Sequence, residues 1–425
     1  MEINIDLHIH SKYSGGTSED MNLANLARGA SQKGIHLIGS GDGLHPAWLR
    51  EIKGLRSVDE GTFEIERLRV ILTCEIEDSN RVHHLLIFPA VSKLEDFSEK
   101  IAGRVSDLST DGRPRFHGNG LDLAQIAQDC DVLIGPCHAF TPWTSVYAAF
   151  DTLRACYGDL VKYVQYLELG LSADTSYADR ISELHNLTFL TNSDAHSPWP
   201  LRLAREFMRV QVEEITCAEV IRALRRAGQR RVVVNVGVPP EEGKYNESAC
   251  IKCFRHYTLS EAKKRGWRCT CGGRIKKGVK DRVEELADLD KPASPAHRPP
   301  YIHIIPLTEI IARAEHSTPN TKKVLGIWNE LITTFGNEVN ILIDTPLEAL
   351  EKHAPQHVLR AIAAFRAGKI VVKPGGGGQY GEIIIPEDLE NVEMECSAGN
   401  AGLVEKEKTD DNKKPKTQAT LDQYF

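Results

Sequence analysis

Short runs of hydrophobic residues alternate with amphipathic segments over the first 235 residues of the chain. The runs are rich in Ile, Leu and Val, which is typical of buried strands, whereas Leu23, Leu26 and Ala30 share one helical face. The predicted strands cover residues 3–8, 35–40, 70–75, 82–88, 132–136, 164–169 and 187–192. Repeated β-then-α units predict an α/β fold with a parallel sheet, and about seven such units predict a closed barrel.

The pattern divides the chain into four parts, with proline-rich segments between them. Residues 1–235 form the predicted barrel, and residues 244–282 form a small cysteine-rich module. An α+β unit is expected over residues 299–395. Residues 396–425 are polar and charge-mixed, which predicts a disordered tail.

The composition excludes several classes of protein. Hydrophobic residues make up 41% and charged residues 26%, a balance typical of globular proteins rather than disordered ones. There is no apolar run of about 18 residues that could span a membrane, and no signal peptide at the start, so we expect an intracellular protein. The net charge of −7 argues against a uniformly basic DNA-coating protein but allows a local basic patch.

Histidine and carboxylate side chains collect at the ends of the predicted strands. Ten of the 16 histidines precede residue 200, and His8 and His10 can share one face because they lie two positions apart on extended chain. The other residues at strand ends are Glu75, His83, His84, His138, Asp194 and His196. In a barrel these positions converge on one mouth, where their imidazoles and carboxylates suit Zn, Mn or Fe. Such ions activate water and stabilise charge on phosphate, so the pattern indicates phosphoester hydrolysis.

Four motifs in this part of the chain carry a resemblance. They are Asp6-Leu7-His8-Ile9-His10-Ser11, Gly39-Ser40-Gly41-Asp42, the pair Glu75 and His84, and Ser193-Asp194-Ala195-His196. Residues 1–235 thereby resemble the PHP (polymerase and histidinol phosphatase) family, whose members form distorted seven-stranded barrels.

The resemblance implies a site for two or three divalent ions (Zn, Mn or Mg). The implied ligands of the first ion, which also carry the catalysis, are His8, His10, Glu75 and Asp194. Glu75 would bridge to a second ion held by His84 and His138. His196 would serve the third ion.

The chain departs from the family pattern in the second motif. Where the family has Thr-Asp-His, this chain has Gly41-Asp42-Gly43 with His45 two positions on, so Asp42 or His45 is expected to compensate. Only one of the neighbours His83 and His84 can face the interior, because adjacent residues of a strand point to opposite sides. His84 precedes two leucines as in the family, which favours His84 as the ligand.

Four of the ten cysteines form two closely spaced pairs, and 15 residues separate the pairs. They are Cys250, Cys253, Cys269 and Cys271. This spacing is typical of a tetrahedral structural zinc site, with His256 as an alternative to one of the thiolates.

The segment 244–282 that holds these cysteines is strongly basic. It has 12 Lys or Arg residues against 3 acidic ones, with aromatic residues interleaved, a pattern typical of nucleic-acid binding. The alternative is a solvated module whose aromatic residues pack a small core. The candidate DNA-binding residues are Lys252, Arg255, Lys263, Lys264, Arg265, Arg268, Arg274, Lys276 and, from the following unit, Tyr380.

The glycine-rich segment 373–381 does not predict a nucleotide site. It lacks the Gly-Lys-Ser/Thr ending of a phosphate-binding loop, and a strand-like run follows it instead of a helix. One interpretation is a flexible hairpin. In the other, the glycines let the backbone approach DNA while Tyr380 stacks on a base.

Residues 418–425 resemble the peptide that docks on the sliding clamp of replication, PCNA. The resemblance is carried by Gln418, Leu421, Tyr424 and Phe425. One tight turn would place the three hydrophobic side chains on a common side while the Gln418 amide anchors the entry. We therefore expect the clamp as a protein partner.

The combination of barrel, basic module, third unit and clamp peptide resembles the endonuclease Q family of repair nucleases, found mainly in archaea. The resemblance implies cleavage of damaged DNA on the 5′ side of uracil, hypoxanthine, xanthine or an abasic site, leaving a 3′-hydroxyl and a 5′-phosphate, and a nucleoid-associated location. Two alternatives stay open at this point. One is a phosphoesterase of histidinol-phosphatase type that acts on a small phosphomonoester, and the other is a non-catalytic, clamp-tethered DNA-binding protein.

Overall fold

The structure is a computed structural model that describes residues 1–106 and 108–385. The predicted tail 396–425, with its clamp-binding peptide, lies outside the described residues. No helix of the described residues is long and apolar enough to cross a membrane.

The described strands include one for each of the seven predicted runs. The strands are β1 (Glu2–Asp6), β2 (Leu37–Gly39), β3 (Arg56–Ser57), β4 (Thr62–Ile65), β5 (Leu68–Glu77), β6 (His83–Phe88), β7 (Leu133–Pro136), β8 (Tyr166–Glu168), β9 (Thr188–Leu190), β10 (Phe207–Gln211), β11 (Arg231–Gly237), β12 (Ala249–Cys250), β13 (Ile275–Lys276), β14 (Tyr301–His303), β15 (Val371–Lys373) and β16 (Glu382–Ile384).

Helices connect and cover these strands. The α-helices are α1 (Leu23–Lys33), α2 (Pro46–Lys53), α3 (Val91–Ile101), α4 (Gly120–Asp129), α5 (Val146–Ala149), α6 (Leu153–Tyr157), α7 (Thr175–Ala178), α8 (Cys217–Leu224), α9 (Leu259–Lys264), α10 (Val279–Leu286), α11 (Leu307–Ala314), α12 (Lys322–Phe335), α13 (Leu347–Leu350) and α14 (Gln356–Arg366). A π-helical segment, Asn340–Asp344, follows α12.

The main sheet is mixed rather than parallel. Its order is β14-β11-β10-β1-β2-β5-β4-β3, with β6 paired to β5 and β7 to β6, while β8 and β9 form a separate parallel pair. The predicted parallel sheet is wrong for β5, β6 and β7, which pair antiparallel. The connection 78–82 is far shorter than the dozen or so residues that a parallel crossover needs, so the chain turns straight back after β5. The α/β class is confirmed, and the closed seven-stranded barrel stays a prediction.

Alternate side chains along β1 point to one side of the sheet, where they are buried. Ile3, Ile5 and Leu7 share one buried apolar cluster, which the helix α8 helps to cover. That helix begins at the far end of β6 from His83, because the Cys217 thiol contacts the Phe88 carbonyl oxygen. Helix α8 therefore starts away from the end of β6 that carries His83, and that end can contribute to a polar site.

The C-terminal unit is joined to the main sheet and to its first helix. The strand β14 pairs in parallel with β11. Lys33, at the end of α1, donates a hydrogen bond to the Glu338 carboxylate at 2.5 Å, and both side chains are buried. Glu338 also accepts hydrogen bonds from the Trp328 indole and the Leu307 amide. The pair is therefore part of the junction between the two halves of the chain.

Replacing Lys33 with methionine tests the importance of this junction. The substitution leaves the Glu338 charge buried without its ionic partner, so we expect the free energy of unfolding to fall by about 3–5 kcal/mol. Urea unfolding followed by circular dichroism measures the change. The matched control is Lys53→Met, which breaks a half-exposed pair with Glu95 and should cost only about 0–1 kcal/mol. Equal effects of the two substitutions would contradict this account.

Candidate metal centre and basic module

Six side chains from different parts of the sheet meet at the rim where β1, β5, β7 and β9 end and β6 begins. They are His8, His10, Glu75, His83, His138 and Asp194. The first five are buried and Asp194 is half-buried, so solvent reaches the centre on the side of Asp194.

Glu75 lies at the middle of the group. Its Oε1 atom is 2.5 Å from Nδ1 of His83 and 3.0 Å from Nε2 of His138. Its Oε2 atom is 3.3 Å from Nε2 of His10, which in turn is 3.2 Å from Oδ1 of Asp194. The carboxylate therefore separates two groups of donor atoms, one on either side.

Carboxylates behind the imidazoles orient His8 and His10. Glu168 lies 2.8 Å from Nδ1 of His8, and Asp42 lies 3.1 Å from Nδ1 of His10. Each contact fixes the ring and leaves Nε2 directed into the centre, an arrangement that is usual for metal-binding histidines. Sequence reasoning missed Glu168, although its place at the end of a predicted strand could have drawn attention to it.

A further carboxylate, that of Asp6, joins the end of β1 to the segment after β9. The Asp6 carboxylate, at the end of β1, accepts hydrogen bonds from the hydroxyl and the amide of Ser193. These bonds fix the segment that carries Asp194 against the segment that carries His8. Burial raises the pKa of Asp6 to about 7, against the hydrogen bonds from Ser193.

The donor atoms fit divalent cations. Nε2 of His8 and Nε2 of His10 face the carboxylates of Glu75 and Asp194 but are buried without a hydrogen bond, which is costly for a polar atom. Burial disfavours the ionised form of Glu75, but the surrounding histidines hold the pKa of Glu75 well below its usual range. The histidines likewise lower the pKa of Asp194 against the effect of its burial. Unpartnered imidazole nitrogens next to ionised carboxylates are the ligands that Zn or Mn prefers.

The structure places His83, rather than the predicted ligand His84, in the group around Glu75, while His84 lies with Asp78 and Cys156 in a separate group of possible ligands. The two side chains do point to opposite sides of β6, but it is His83 that lies against Glu75. The His84 ring instead lies 2.8 Å from the Tyr157 hydroxyl and next to Asp78, away from the centre. The resemblance to a family motif could not decide this, because side-chain direction depends on the pairing of β5 with β6.

Asp42 and His45, the residues expected to compensate in the second motif, both contact other groups of the protein. The Asp42 carboxylate is taken up by His10 and by the amide and hydroxyl of Ser11. The His45 imidazole caps helix α2 by accepting from the Trp48 amide through Nδ1, and its Nε2 lies 2.9 Å from the Ser109 carbonyl oxygen. Both ring nitrogens of His45 therefore have partners within the protein.

His196 lies at the opening of the centre. Its ring centroid is 4.4 Å from that of His10, and Nδ1 is 2.9 Å from the Asp194 carbonyl oxygen. The side chain is about one-third exposed, so it borders the solvent-accessible side. The structure thus brings His196 to the same mouth as the buried ligand group.

The four cysteines of the basic module come together. Sγ of Cys250 lies 3.6 Å from Sγ of Cys271, and Sγ of Cys253 lies 3.5 Å from Sγ of Cys269. The Tyr257 hydroxyl donates to Sγ of Cys269, which contributes to lowering the pKa of this thiol to about 5. The alternative ligand His256 pairs with Glu247 instead. The geometry suits a tetrahedral zinc ion.

Most of the predicted DNA-binding side chains face solvent. Those exposed are Lys252, Arg255, Lys263, Lys264, Arg265, Arg268 and Arg274. The Lys276 ammonium lies over the ring of Trp143, which is exposed near the mouth. Tyr257 and Trp267 pack in the core of the module, as the alternative interpretation of its aromatic residues requires. Apart from Lys263, which pairs with Glu285, the exposed basic side chains are therefore accessible to phosphates, whereas these two aromatic residues are not accessible to bases.

The glycine-rich segment forms the predicted hairpin, since β15 and β16 pair antiparallel. Most of its glycines approach the protein's own backbone. A Cβ on Gly375 would lie 2.5 Å from the Gly243 carbonyl oxygen, and one on Gly377 would lie 2.6 Å from that of Cys250. Gly378, by contrast, has only the Tyr245 hydroxyl near its added Cβ, at 4.0 Å, so the approach of the segment to DNA stays a prediction. Tyr380 remains half-exposed, with the Lys244 ammonium over its ring.

Two solved structures that the chain matches cover nearly its whole length. The lesion-specific endonuclease PfuEndoQ from Pyrococcus furiosus is 44% identical, with a TM-score of 0.89 over 93% of this chain and 98% of that one. A complex of endonuclease Q with a 27-mer duplex carrying an abasic lesion at the active site is 44% identical, with a TM-score of 0.88 over 93% of this chain and 99% of that one. The chain belongs to the endonuclease Q family.

Two further matches concern parts of proteins. Residues 306–369 match the family model of the MJ0043 C-terminal domain. The uncharacterized protein MJ0043 from Methanocaldococcus jannaschii is 45% identical over 260 residues, which are 60% of this chain and 32% of that protein. The chain thus spans about a third of the length of this relative.

Paired substitutions test which histidine belongs to the centre. We expect His83→Asn to lower the affinity for Mn or Zn by about 10- to 100-fold, because it removes a donor next to Glu75. His84→Asn is the matched control on the same strand and should leave this affinity unchanged. Isothermal titration of the metal-free protein, with circular dichroism to verify folding, measures both. A loss of affinity in the His84 variant alone would contradict the assignment.

Proposed function

We propose that this endonuclease Q hydrolyses the phosphodiester bond on the 5′ side of a deaminated base or an abasic site in DNA, leaving a 3′-hydroxyl and a 5′-phosphate. Membership of the family makes the chain a metal-dependent DNA endonuclease. The observation that supports the rest is the buried group around Glu75, with unpartnered imidazole nitrogens and an opening on the side of Asp194. It occurs in a chain that is 44% identical to a lesion-specific endonuclease over 98% of that protein.

The centre is proposed to hold two or three divalent cations. His8, His10 and Asp194 would hold one cation, and Glu75, His83 and His138 would hold a second. His196, at the opening, would serve a third. When bound, the cations would lower the pKa of water and neutralise charge on the phosphate oxygens during in-line displacement.

Other residues of the chain keep the reacting groups in position. Glu168 and Asp42 hold the rings of His8 and His10, so their Nε2 atoms need no rearrangement. Arg113 lies 3.3 Å from the Glu75 carboxylate and is about one-third exposed. We assign it a phosphate contact, since a guanidinium at the opening can bind a phosphate oxygen.

The basic module is proposed to bind the DNA backbone, with one structural zinc ion at its four cysteines. Its exposed Lys and Arg residues can neutralise phosphates without reading the sequence. Lys276 of the module contacts Trp143, which lies in the segment after β7 that also carries His138. Phosphates bound along this surface would therefore lead towards the centre.

The lesion is proposed to leave the duplex before cleavage. Flipping costs least where pairing is already weak or absent, as at a uracil–guanine mismatch or an abasic site. Tyr380 is a candidate for stacking on a displaced base. The peptide with Gln418, Leu421, Tyr424 and Phe425 is proposed to dock on the sliding clamp and so bring the enzyme to replicated DNA.

The substitution Asp194→Ala tests the catalytic assignment. We expect it to abolish nicking, because it removes a ligand at the open side of the centre, while DNA binding by the basic module continues. A denaturing gel with single-uracil and undamaged duplexes, each with and without chelator, measures nicking, and a mobility-shift assay measures binding. Unchanged nicking would refute the assignment. Turnover of a free phosphomonoester with none on DNA would favour the histidinol-phosphatase type of activity.

Removal of residues 418–425 tests the clamp peptide. We expect the truncated chain to lose binding to the sliding clamp in a surface plasmon resonance assay, because the hydrophobic plug and its Gln anchor are gone. Nicking of a short linear uracil duplex without clamp should be unchanged. Full clamp binding by the truncated chain would refute this part of the proposal.

A further inference from the structure

A second group of buried polar side chains lies on the other side of β6 from the metal centre. It consists of Asp78 in the return between β5 and β6, His84 on β6 and Cys156 on α6. One donor atom of each side chain lies within 4.8 Å of the donor atoms of the other two. The group therefore brings a carboxylate, an imidazole and a thiol together from three different segments of the chain.

Two donor atoms of this group lack a hydrogen bond within the described part of the chain. They are Oδ2 of Asp78 and Nε2 of His84, which lie 3.4 Å apart and belong to fully buried side chains. Buried polar atoms are nearly always hydrogen-bonded, so two unpartnered atoms that face each other indicate a ligand between them. A carboxylate oxygen and an imidazole nitrogen both offer lone pairs, which favours a cation as that ligand.

The remaining polar atoms of the two side chains are held by the protein. Oδ1 of Asp78 accepts hydrogen bonds from the amides of Asn80 and Val82. Nδ1 of His84 lies 2.8 Å from the Tyr157 hydroxyl oxygen, and in the tautomer that donates this bond Nε2 carries a free lone pair. Each side chain is thus fixed through one atom and presents the other to the group, as is usual for metal ligands.

The thiol of Cys156 completes the donor set. Gly120, the first residue of α4, lies directly beside it, since an added Cβ would be 2.5 Å from Sγ of Cys156 and 3.2 Å from Cε1 of His84. A glycine at this position therefore leaves space next to the thiol. Burial and the nearby Asp78 raise the pKa of Cys156, so the thiol keeps its proton when no cation is bound. Binding of a cation would release this proton to solvent and provide a thiolate ligand.

The spacing and the chemistry of the donor atoms suit zinc. A tetrahedral zinc ion binds imidazole nitrogen and carboxylate oxygen at about 2.0–2.1 Å, which places two such ligands about 3.4 Å apart. Nε2 of His84 and Oδ2 of Asp78 have this separation. A thiolate ligand favours zinc over Mn²⁺, so a titration with Mn²⁺ does not report on this group. Three protein ligands leave a fourth position that a water molecule can occupy.

We propose that Asp78, His84 and Cys156 bind a structural zinc ion. This ion is separate from the cations of the catalytic centre and from the zinc of the four-cysteine module. It would join the return between β5 and β6 to α6 and so stabilise the folded chain without contacting DNA. The proposal does not depend on which lesion the enzyme cleaves.

Anomalous diffraction tests the site in the unmodified protein. Crystals of the full chain grown in excess Zn²⁺ are measured on both sides of the zinc absorption edge. We expect a zinc peak between Oδ2 of Asp78, Nε2 of His84 and Sγ of Cys156. The absence of a peak at these atoms would overturn the proposal and leave the three side chains as a metal-free group.

The zinc content of variants distinguishes specific binding from binding at crystal concentration only. After dialysis into zinc-free buffer, we expect Cys156→Ala to contain about one zinc ion per chain less than the unmodified protein, measured by plasma mass spectrometry. His84→Asn should lose the same ion, and the double variant should lose no more than either single variant. Circular dichroism verifies that each variant is folded.

Cys130→Ala is the matched control. It removes another buried thiol, one that belongs to no group of possible ligands among the described residues, and it should retain the full zinc content. Equal zinc content in Cys156→Ala and the unmodified protein would overturn the proposal. An equal loss in Cys130→Ala would also overturn it, because the loss would then not depend on the ligand group.

Discussion

Two hydrogen bonds between a carboxylate and an imidazole determine the geometry of the whole centre. Glu168 holds His8 and Asp42 holds His10, and each contact turns Nε2 towards Glu75. Without these carboxylates the rings could rotate, and the buried nitrogens would have no fixed direction. Burying these nitrogens without a partner is unfavourable, and a bound cation would remove this penalty. The bonds that order the rings therefore also favour metal binding.

The centre depends on the fold through side-chain direction at strand ends. The Asp6 carboxylate at the end of β1 accepts two hydrogen bonds from Ser193, and these bonds hold Asp194 opposite His8 and His10. The antiparallel return from β5 to β6 brings His83 against Glu75. The C-terminal unit is joined to this part of the fold through β14 and the buried pair of Lys33 with Glu338.

The sequence was sufficient for local features. A strand of the structure lies in each of the seven hydrophobic runs. The spacing of the cysteines also identified four thiols that the structure brings together, those of Cys250, Cys253, Cys269 and Cys271. Strand-end positions also identified His8, His10, Glu75, His138 and Asp194 as neighbours.

The features that the sequence did not reveal depend on tertiary contacts. Strand direction was wrong because repeated β and α segments do not distinguish a crossover from a tight return. The orientation of His83 and His84 follows from that pairing, and the role of His45 as a helix cap follows from Trp48 and Ser109. Glu168 has no motif of its own, since its function is to hold His8 from behind.

Anomalous diffraction from crystals grown with Mn²⁺ tests the central claim most directly. The account predicts peaks at two positions, one between His8, His10 and Asp194 and the other between Glu75, His83 and His138. The account would be contradicted if crystals grown in excess Mn²⁺ showed no anomalous peak at this rim of the sheet. A peak beside His84 instead would also contradict it.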